Sequence, residues 1–366
     1  MTRGVRVLLF VAVAVAVRAG ALVLIVPHHG AVLDQLCHFD CGWYERIALE
    51  GYGADADWDN LGSVPHWAFF PVYPLAMRAL VAISGASAQQ CGIGISLAAS
   101  AVMAWMIGAA VARRRGHGAL VAAIFVMVFP IGMFFSLVYA EALYGALVVA
   151  SLAALRARRP GRAAVWACLA GATRPAGILL ALVIGVDRLT DLARRRVWTA
   201  RAWADALLPA AIAPLGLSAF VLAQYLAVGD GFAFAHVQIL WGRNWSNPIM
   251  RILHGLAAGD LRQLFAAPSL AWHALWALGG LAVGGWLLVR RRGAEGTFLL
   301  GSVLLPAATG LDAMPRFVGT NPVFLGSLAD WVACLPRWLM LLVLVACAVA
   351  QLVLLRVWAA GGGGVF

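Results

Sequence analysis

The chain has 366 residues, a length that would ordinarily suggest two or three soluble domains. Its composition excludes that organisation, because 63% of the residues are hydrophobic and only 12% are charged, whereas soluble domains average about 25% charged residues. Lipid must cover part of so apolar a surface. The sequence therefore predicts an all-α polytopic membrane protein, and it excludes a cytosolic enzyme, a secreted disulfide scaffold and a disordered chain.

The formal net charge of +11 is carried by arginine alone, since all 27 basic residues are arginine. They cluster at the ends of apolar runs, as in Arg113–Arg115 and Arg290–Arg292, and such clusters mark the cytoplasmic ends of membrane helices. The cytoplasmic segments assigned in this way hold 18 of the arginines and 5 of the 16 acids. The basic excess is thus a topology signal, and we expect no nucleic-acid partner.

The first apolar run, residues 7–26, is about as long as one bilayer span. No small-residue cleavage site follows it, so we expect an uncleaved helix with a cytoplasmic N-terminus. A first external loop, 28–92, comes next. Within it, residues 67–84 are apolar enough to cross the membrane, but a crossing would move Arg113–Arg115 outside. This stretch is therefore predicted to be an interfacial helix with aromatic side chains at the headgroup level, namely Trp67, Phe69, Phe70 and Tyr73.

The later part of the chain predicts about 9–11 membrane helices in total, some of them short or broken. The further spans are predicted at 93–112, 119–135, 140–155, 206–228, 271–289, 297–311, 317–334 and 338–357. Segment 163–187 is too short for two crossings, and Pro175 cannot continue a helix, so two half-helices should meet there. A second external loop covers 229–270. Residues 1–358 are predicted to form a single membrane domain, and 359–366 a flexible tail.

The cysteines of the first external loop, Cys37 and Cys41, are four residues apart. That spacing on a regular helix is poor disulfide geometry, so a bridge is not expected. With His38 and Asp40 the two cysteines imitate a metal site, but no second ligand pair has zinc-finger spacing. We predict no metal and no cofactor, while the sequence alone does not exclude a divalent cation.

Asp40 is the first candidate for chemistry. It lies on the predicted outer side, followed closely by Trp43 and Tyr44, whose rings could stack on a sugar. A carboxylate in this position can accept a proton from an attacking hydroxyl. The alternative is that Asp40 caps a helix that begins near Gly42.

Three arginines are candidates for holding a phosphate: Arg316 in "DAMPRF", Arg243 in "WGR", and Arg174 beside the predicted helix break. A charge at membrane depth is a functional hypothesis by default. The alternative for each is a lipid-headgroup or interface arginine.

The remaining candidates are polar or aromatic groups that could contact a sugar or phosphate. Glu141 opens a span after Tyr139, and no cation that would pair with it is evident in the sequence. Gln238 and Trp241 could contact sugar hydroxyls and a ring face, and His66 could donate to a phosphate. The alternatives are a helix-edge carboxylate, an interface tryptophan and an ordinary loop histidine.

Several of these residues belong to motifs that occur in a fixed order: "FDCGWYERIALEGYG", "AFFPVYP", "FSLVYAEALY", "TRPAGILLAL", "QILWGR" and "MPRFV" with "NPVF". The series resembles the PIG-V-like mannosyltransferases, the family of GPI mannosyltransferase 2 and its bacterial relatives, in the GT-C class of membrane glycosyltransferases. The resemblance covers about residues 10–330. It implies an enzyme dependent on a lipid-phosphate mannose, with an essential acidic residue in the first external loop that matches Asp40. "VYAEALY" and "TRPAG" depart from the family pattern, which bears on the substrate more than on the fold.

The expected function is transfer of a sugar, most simply mannose, from a polyprenyl phosphate to an acceptor hydroxyl on the extracytoplasmic side of the cell membrane. Asp40 would act as the base and the anomeric centre would invert. The absence of phosphate-binding glycine motifs fits a lipid donor rather than a nucleotide donor. The acceptor remains open among a glycolipid, a lipoglycan and a protein.

Two alternatives have a different character. A transporter or flippase for a lipid or lipid-linked sugar also uses broken helices and charges within the membrane, although it is commonly built from two similar halves. A non-catalytic GT-C scaffold protein is the other alternative, for which the loss of Asp40 would have been the signal.

Overall fold

The structure is a computed structural model, and it describes residues 3–25, 32–53, 65–196, 198–259 and 269–362. All regular secondary structure in these ranges is helical. In chain order the α-helices are α1 (Arg3–Ile25), α2 (Val32–Leu36), α3 (Asp40–Glu50), α4 (Val72–Ser84), α5 (Ala88–Arg115), α6 (Ala119–Val128), α7 (Glu141–Arg156), α8 (Pro160–Gly171), α9 (Ile178–Arg195), α10 (Ala200–Ile212), α11 (Leu215–Val228), α12 (Ala233–His236), α13 (Pro248–Ala257), α14 (Leu270–Val289), α15 (Gly293–Ala307), α16 (Met314–Gly319), α17 (Pro322–Val332) and α18 (Arg337–Ala359). Short 3-10 helices cover Pro65–Ala68, Pro130–Ser136, Pro175–Gly177 and Val237–Trp241.

Three helices of the described ranges, α5, α14 and α18, are long and apolar enough to cross a bilayer. Two further pairs reach that length only as bent units: α6 with Pro130–Ser136, bent by 79°, and α10 with α11, bent by 48°. The count is therefore three to five, fewer than the 9–11 predicted, because several predicted spans are shorter apolar helices. These features are those of an all-α membrane protein.

Proline residues interrupt the long apolar segments. The predicted break within 163–187 is confirmed, since α8 ends at Gly171 and α9 begins at Ile178 after the short helix at Pro175. The continuous spans predicted at 119–135, 206–228 and 317–334 are wrong, because each contains a break or bend. Proline lacks the N–H that would continue the helix, and Pro130, Pro214 and Pro322 lie at these breaks.

The single interfacial helix predicted at 67–84 is also wrong in its form. The segment divides into the 3-10 helix Pro65–Ala68 and helix α4. The four aromatic residues expected at the headgroup level are instead buried in the protein: Trp67, Phe69, Phe70 and Tyr73. The hydroxyl of Tyr73 donates to the carbonyl oxygen of Gly92 on α5 at 2.9 Å, which attaches the first external loop to the helix bundle.

One large hydrophobic core runs through the bundle, from Leu22 on α1 to Ala359 at the end of α18. A small separate cluster joins the two predicted external loops, because Trp67 packs with Ala233 and Val237. Parts of those loops, 54–64 and 260–268, lie outside the described residues, as does 363–366 of the predicted tail.

The ion pairs of the described residues respect the predicted sides of the membrane. Arg115 pairs with Asp330 at 2.7 Å, and Arg156 pairs with Glu295, all four being assigned to the cytoplasmic side. The pairs that involve predicted external residues, such as Arg316 with Asp40, join residues of the outer side or of membrane depth. Contacts between distant parts of the chain therefore agree with an assignment made from charge clusters alone.

This agreement leads to a labelling prediction. A variant with Cys334 as its only free thiol should resist a membrane-impermeant maleimide in intact cells, since this exposed cysteine lies near Arg337 on the predicted inner side. Ala258→Cys in a background without free thiols should be labelled. Permeabilised cells provide the control, where both must react, and the opposite pattern in intact cells would invert the topology.

Candidate functional site

Asp40 lies at the start of helix α3, but it does not cap that helix. The helix begins at Asp40 itself, the preceding Phe39 occupies the cap position, and no side chain there makes a cap hydrogen bond. The carboxylate of Asp40 instead accepts a hydrogen bond from Nη1 of Arg316, 276 residues away, at 2.8 Å. The capping interpretation of Asp40 is therefore wrong, and the side chain is committed to a charge contact.

A disulfide joins Cys37 and Cys41 across the turn that presents Asp40. The expectation of no bridge is wrong, because it assumed a regular helix through both cysteines. Cys37 lies before α3, and Phe39 between them has a left-handed backbone with φ of 52°. This non-helical turn brings the two Cα atoms within 5.2 Å. The bridge holds the backbone on both sides of Asp40.

The charge contact of Asp40 continues into the protein as a chain of four residues. Nε of Arg316 lies 3.5 Å from Oε1 of Glu141, and Nη1 of Arg174 lies 2.5 Å from the same oxygen. Glu141 thus has two cation partners that its sequence position did not reveal. Glu141 is the most buried of the four side chains at 2% exposure, and Asp40 is the most exposed at 27%.

Helix ends and breaks position all of these charges. Asp40 and Glu141 are the first residues of α3 and α7, and Arg174 lies in the break before Pro175–Gly177. Arg316 lies in the six-residue helix α16, whose preceding residue Ala313 has a left-handed φ of 64°. The breaks bring residues from four distant segments together at one end of the bundle.

Phe317 joins the third predicted arginine to this group. The guanidinium carbons of Arg174, Arg243 and Arg316 lie 5.4, 5.3 and 5.4 Å from the centroid of its ring. Cation–π attraction is favourable at these distances. All three arginines predicted to hold a phosphate therefore surround one aromatic ring. The cluster has three guanidinium groups and two carboxylates, so its formal charge is positive.

Two observations indicate that this cluster has unused capacity for an anion. Nε of Arg316 is buried and makes no hydrogen bond within the described part of the chain, although it lies 3.5 Å from Oε1 of Glu141. Burial, followed by the positive charge of Arg316, lowers the pKa of Arg243 to about 10. Arg243 is still charged near neutral pH, but it is held against like charge. An anion between these guanidinium groups would relieve both conditions.

Aromatic side chains border the cluster. The ring of Tyr139 lies 5.3 Å from the guanidinium of Arg316, and Tyr44 packs edge-on against Phe69 at 5.0 Å. Trp43 stacks on Phe69 at 6.4 Å, and Trp241 approaches the same ring at 6.5 Å. Burial raises the pKa of Tyr44 well above its ordinary value, so its phenol stays protonated.

Two predicted site residues lie apart from the charge cluster. His66 packs against Tyr52 and Trp67, and burial lowers its pKa, which favours the neutral ring at pH 7. The amide of Gln238 donates to the carbonyl oxygen of Phe234 within its own turn at 3.3 Å. The carbonyl oxygen of Gln238 accepts a hydrogen bond from the backbone N–H of Arg243 at 3.2 Å. Among the contacts of the described chain, neither the His66 ring nor the Gln238 side chain reaches Asp40 or a guanidinium group of the cluster.

Sequence reasoning missed Phe317, although it stands in the quoted motif "MPRFV" next to Arg316. Its position beside a candidate cation was the available signal. It also missed the pairing of Glu141 with Arg174, for which the sequence holds no local signal. No group of three or more His, Cys, Asp or Glu in the described ranges is arranged to hold a metal ion.

The chain matches no protein-family model and no curated protein. The resemblance to the PIG-V-like mannosyltransferases therefore stays an expectation from short motifs. The arginine–carboxylate cluster and its surroundings are therefore the basis for the function proposed below.

The buried pair Glu141–Arg174 yields a stability prediction. Removing one partner of a buried ion pair costs roughly 3–5 kcal/mol, because the other charge stays buried without compensation. Glu141→Gln and Arg174→Met should each lower the unfolding temperature of the purified protein strongly. The decrease in unfolding temperature of the double variant should be clearly smaller than the sum of the two single decreases. The reason is that the double variant leaves neither charge of the pair buried without its partner.

The matched control for this cycle is Glu50→Gln, which removes a carboxylate paired with Arg46 on the exposed side of α3. It should change the unfolding temperature little, because exposed pairs contribute little. Additive losses in the Glu141 and Arg174 variants would contradict a direct interaction between them.

Proposed function

We propose that this protein is a membrane glycosyltransferase that moves a sugar, most simply mannose, from a polyprenyl phosphate to an acceptor hydroxyl on the extracytoplasmic side. The observation that carries the proposal is the group of three guanidinium groups around Phe317 beside the carboxylate of Asp40. This combination offers a phosphate site and a proton acceptor in contact with one another.

The arginines suit the phosphate of the donor in both charge and geometry. Guanidinium groups bind phosphate through paired N–H donors, and a bound phosphate leaves with its negative charge stabilised. Arg316 has donors to spare, since its hydrogen bond to Asp40 uses only Nη1. Apolar helices beside the cluster would accommodate the polyprenyl tail.

Asp40 supplies the base in this mechanism. A phosphate that binds Arg316 competes with Asp40 for the guanidinium and weakens the contact that now occupies the carboxylate. The carboxylate, already the most exposed of the four chained side chains, then accepts the proton of the incoming hydroxyl. Attack on the face opposite the phosphate inverts the anomeric centre. Binding of the donor thus prepares the base for the acceptor.

The aromatic border gives the sugar a place to lie. Trp43 and Trp241 both contact Phe69 and are partly or largely exposed. Aromatic faces stack on the apolar face of a hexose, while Tyr44 and Tyr139 offer hydroxyl groups near Asp40. These contacts favour a sugar phosphate over a simple phospholipid as the ligand.

The substitution Asp40→Asn tests the base directly. It preserves the size of the side chain and removes the proton acceptor, so turnover should fall by roughly 10²–10⁴-fold while donor binding and folding persist. Turnover is measured in lipid nanodiscs with polyprenyl-phosphate mannose and a crude membrane acceptor extract, alongside thermal unfolding.

The matched control is Asp34→Asn, which changes an exposed carboxylate in α2 of the same external loop. It should retain normal turnover. A fully active Asp40→Asn variant would refute the base role. Binding of the donor lipid without any turnover by the wild-type protein would instead favour a transporter.

Substitution of the arginines tests the phosphate site. Arg243→Ala and Arg316→Ala should weaken donor binding strongly, and the lysine variants should restore part of it, because lysine keeps the charge but loses the bidentate geometry. Donor affinity is measured with a fluorescent polyprenyl-phosphate mannose.

Arg46→Ala provides the control for these variants, since Arg46 is an exposed arginine whose ion pair is with Glu50 on its own helix. It should bind the donor normally. Normal donor affinity in both the Arg243 and the Arg316 alanine variants would place the phosphate elsewhere.

A further inference from the structure

A cavity of about 380 Å³ opens beside the arginine cluster, between helix α13 and the segment that leads into α16. Met250, Arg251 and His254 line it from α13, and Gly310 and Asp312 line it from the facing segment. Pockets that hold small molecules have volumes of roughly 300–1,000 Å³. This cavity is therefore large enough for a sugar-sized group, and it is separate from the contacts of Asp40.

Arg251 builds the wall of this cavity. Its guanidinium donates to Ser246 Oγ at 2.8 Å, to the carbonyl oxygen of Asn244 at 2.7 Å and to the carbonyl oxygen of Thr309 at 3.2 Å. These bonds fix α13 against the segment that follows α15. Because its donors bind protein atoms, Arg251 supports the wall of the cavity rather than binding a ligand.

Apart from Arg251, the lining includes Asp312 and His254, two side chains that can form hydrogen bonds with hydroxyl groups. The carboxylate of Asp312 and the ring of His254 line the cavity and form no hydrogen bond with another side chain in the described ranges. The lining holds one acidic residue, Asp312, and one arginine, Arg251, so the cavity lacks the positive excess of the arginine cluster. Met250 and Leu311 add apolar surface. A carboxylate and an imidazole beside apolar surface suit a neutral, hydroxyl-rich ligand.

Arg243 separates this cavity from the phosphate site. Its Nη2 donates to the carbonyl oxygen of Asp312 at 2.7 Å, and its guanidinium lies against the ring of Phe317 on the other side. A group in the cavity therefore lies one side chain away from the proposed phosphate. An acceptor whose head occupies the cavity could extend a hydroxyl past Arg243 toward the proposed phosphate site.

We propose that this cavity binds the neutral carbohydrate or polyol head of the acceptor, with Asp312 and His254 as its hydrogen-bonding groups. The inference rests on the proposed glycosyl transfer, because it names the second substrate of that reaction. It adds an acceptor class, a sugar or polyol head without phosphate or carboxylate, and it assigns residues that the phosphate site does not use.

The test measures binding of simple probes to the full chain in lipid nanodiscs, without any donor lipid. The probes are methyl α-mannoside, methyl α-glucoside and glycerol, each followed by saturation-transfer NMR. At least one should bind the wild-type protein. Asp312→Asn should weaken that binding by roughly tenfold or more, since hydrogen bonds to a charged group are the stronger ones.

Two tryptophan variants on α13 keep the test independent of folding. Met250→Trp fills the cavity from a position that is 48% exposed, and Leu253→Trp adds the same bulk at a 50% exposed position on the same helix outside the lining. Met250→Trp should abolish probe binding, whereas Leu253→Trp should leave it unchanged.

Failure of this inference differs from failure of the proposed function. Absence of binding by all three probes, or equal binding in the Met250→Trp and wild-type proteins, overturns the acceptor cavity, whatever the donor assay shows. Loss of probe binding in Met250→Trp and Asp312→Asn supports it. Donor turnover, measured separately with Asp40→Asn, decides the proposed transfer on its own.

Discussion

The burial of Glu141 is the constraint on which the arrangement of the site depends. A carboxylate that is 2% exposed at the start of α7 is stable only with compensating charge. Arg174 and Arg316 supply this charge from two other segments of the chain. Arg316 also forms an ion pair with Asp40. The helix breaks are needed because intact helices would carry these residues past one another. An apolar bundle thus concentrates these four charges in one place.

Other parts of the structure limit the movement of that group. The Cys37–Cys41 disulfide fixes the turn before α3, and the exposed ring of Phe39 in that turn packs against Trp358 of α18. Tyr139 lies under Arg316 and donates to the carbonyl oxygen of His38 at 3.3 Å. The last helix therefore supports the first external loop. The proposed base, Asp40, would gain from such preorganisation when it meets an acceptor hydroxyl.

The sequence predicted the features that depend on local pattern, and it failed where distant contacts decide. Composition and arginine clusters predicted an all-α membrane protein. Pro175 predicted the helix break beside Arg174. Burial of Trp67 and Tyr73 could not be read locally, because an aromatic residue in an external loop packs equally well against lipid or against another helix. The disulfide was missed because the non-helical turn at Phe39, between the two cysteines, has no signal in the local sequence. The three arginines were each named, but their convergence on Phe317 depends on tertiary packing.

The convergence of three cations on one ring also bears on the choice between transfer and structural roles. Arginines that serve only to anchor a protein at an interface can spread along the surface, where water and lipid headgroups screen them. Here three guanidinium groups surround the ring of Phe317, and two carboxylates lie beside them. One buried donor, Nε of Arg316, makes no hydrogen bond within the described residues. The carboxylates of Asp40 and Glu141 offset part of the repulsion among the three guanidinium groups, and the formal charge that remains is positive. An anion that enters between them would offset this charge and accept from the donor left without a hydrogen bond, which is the physical basis of the proposed phosphate site.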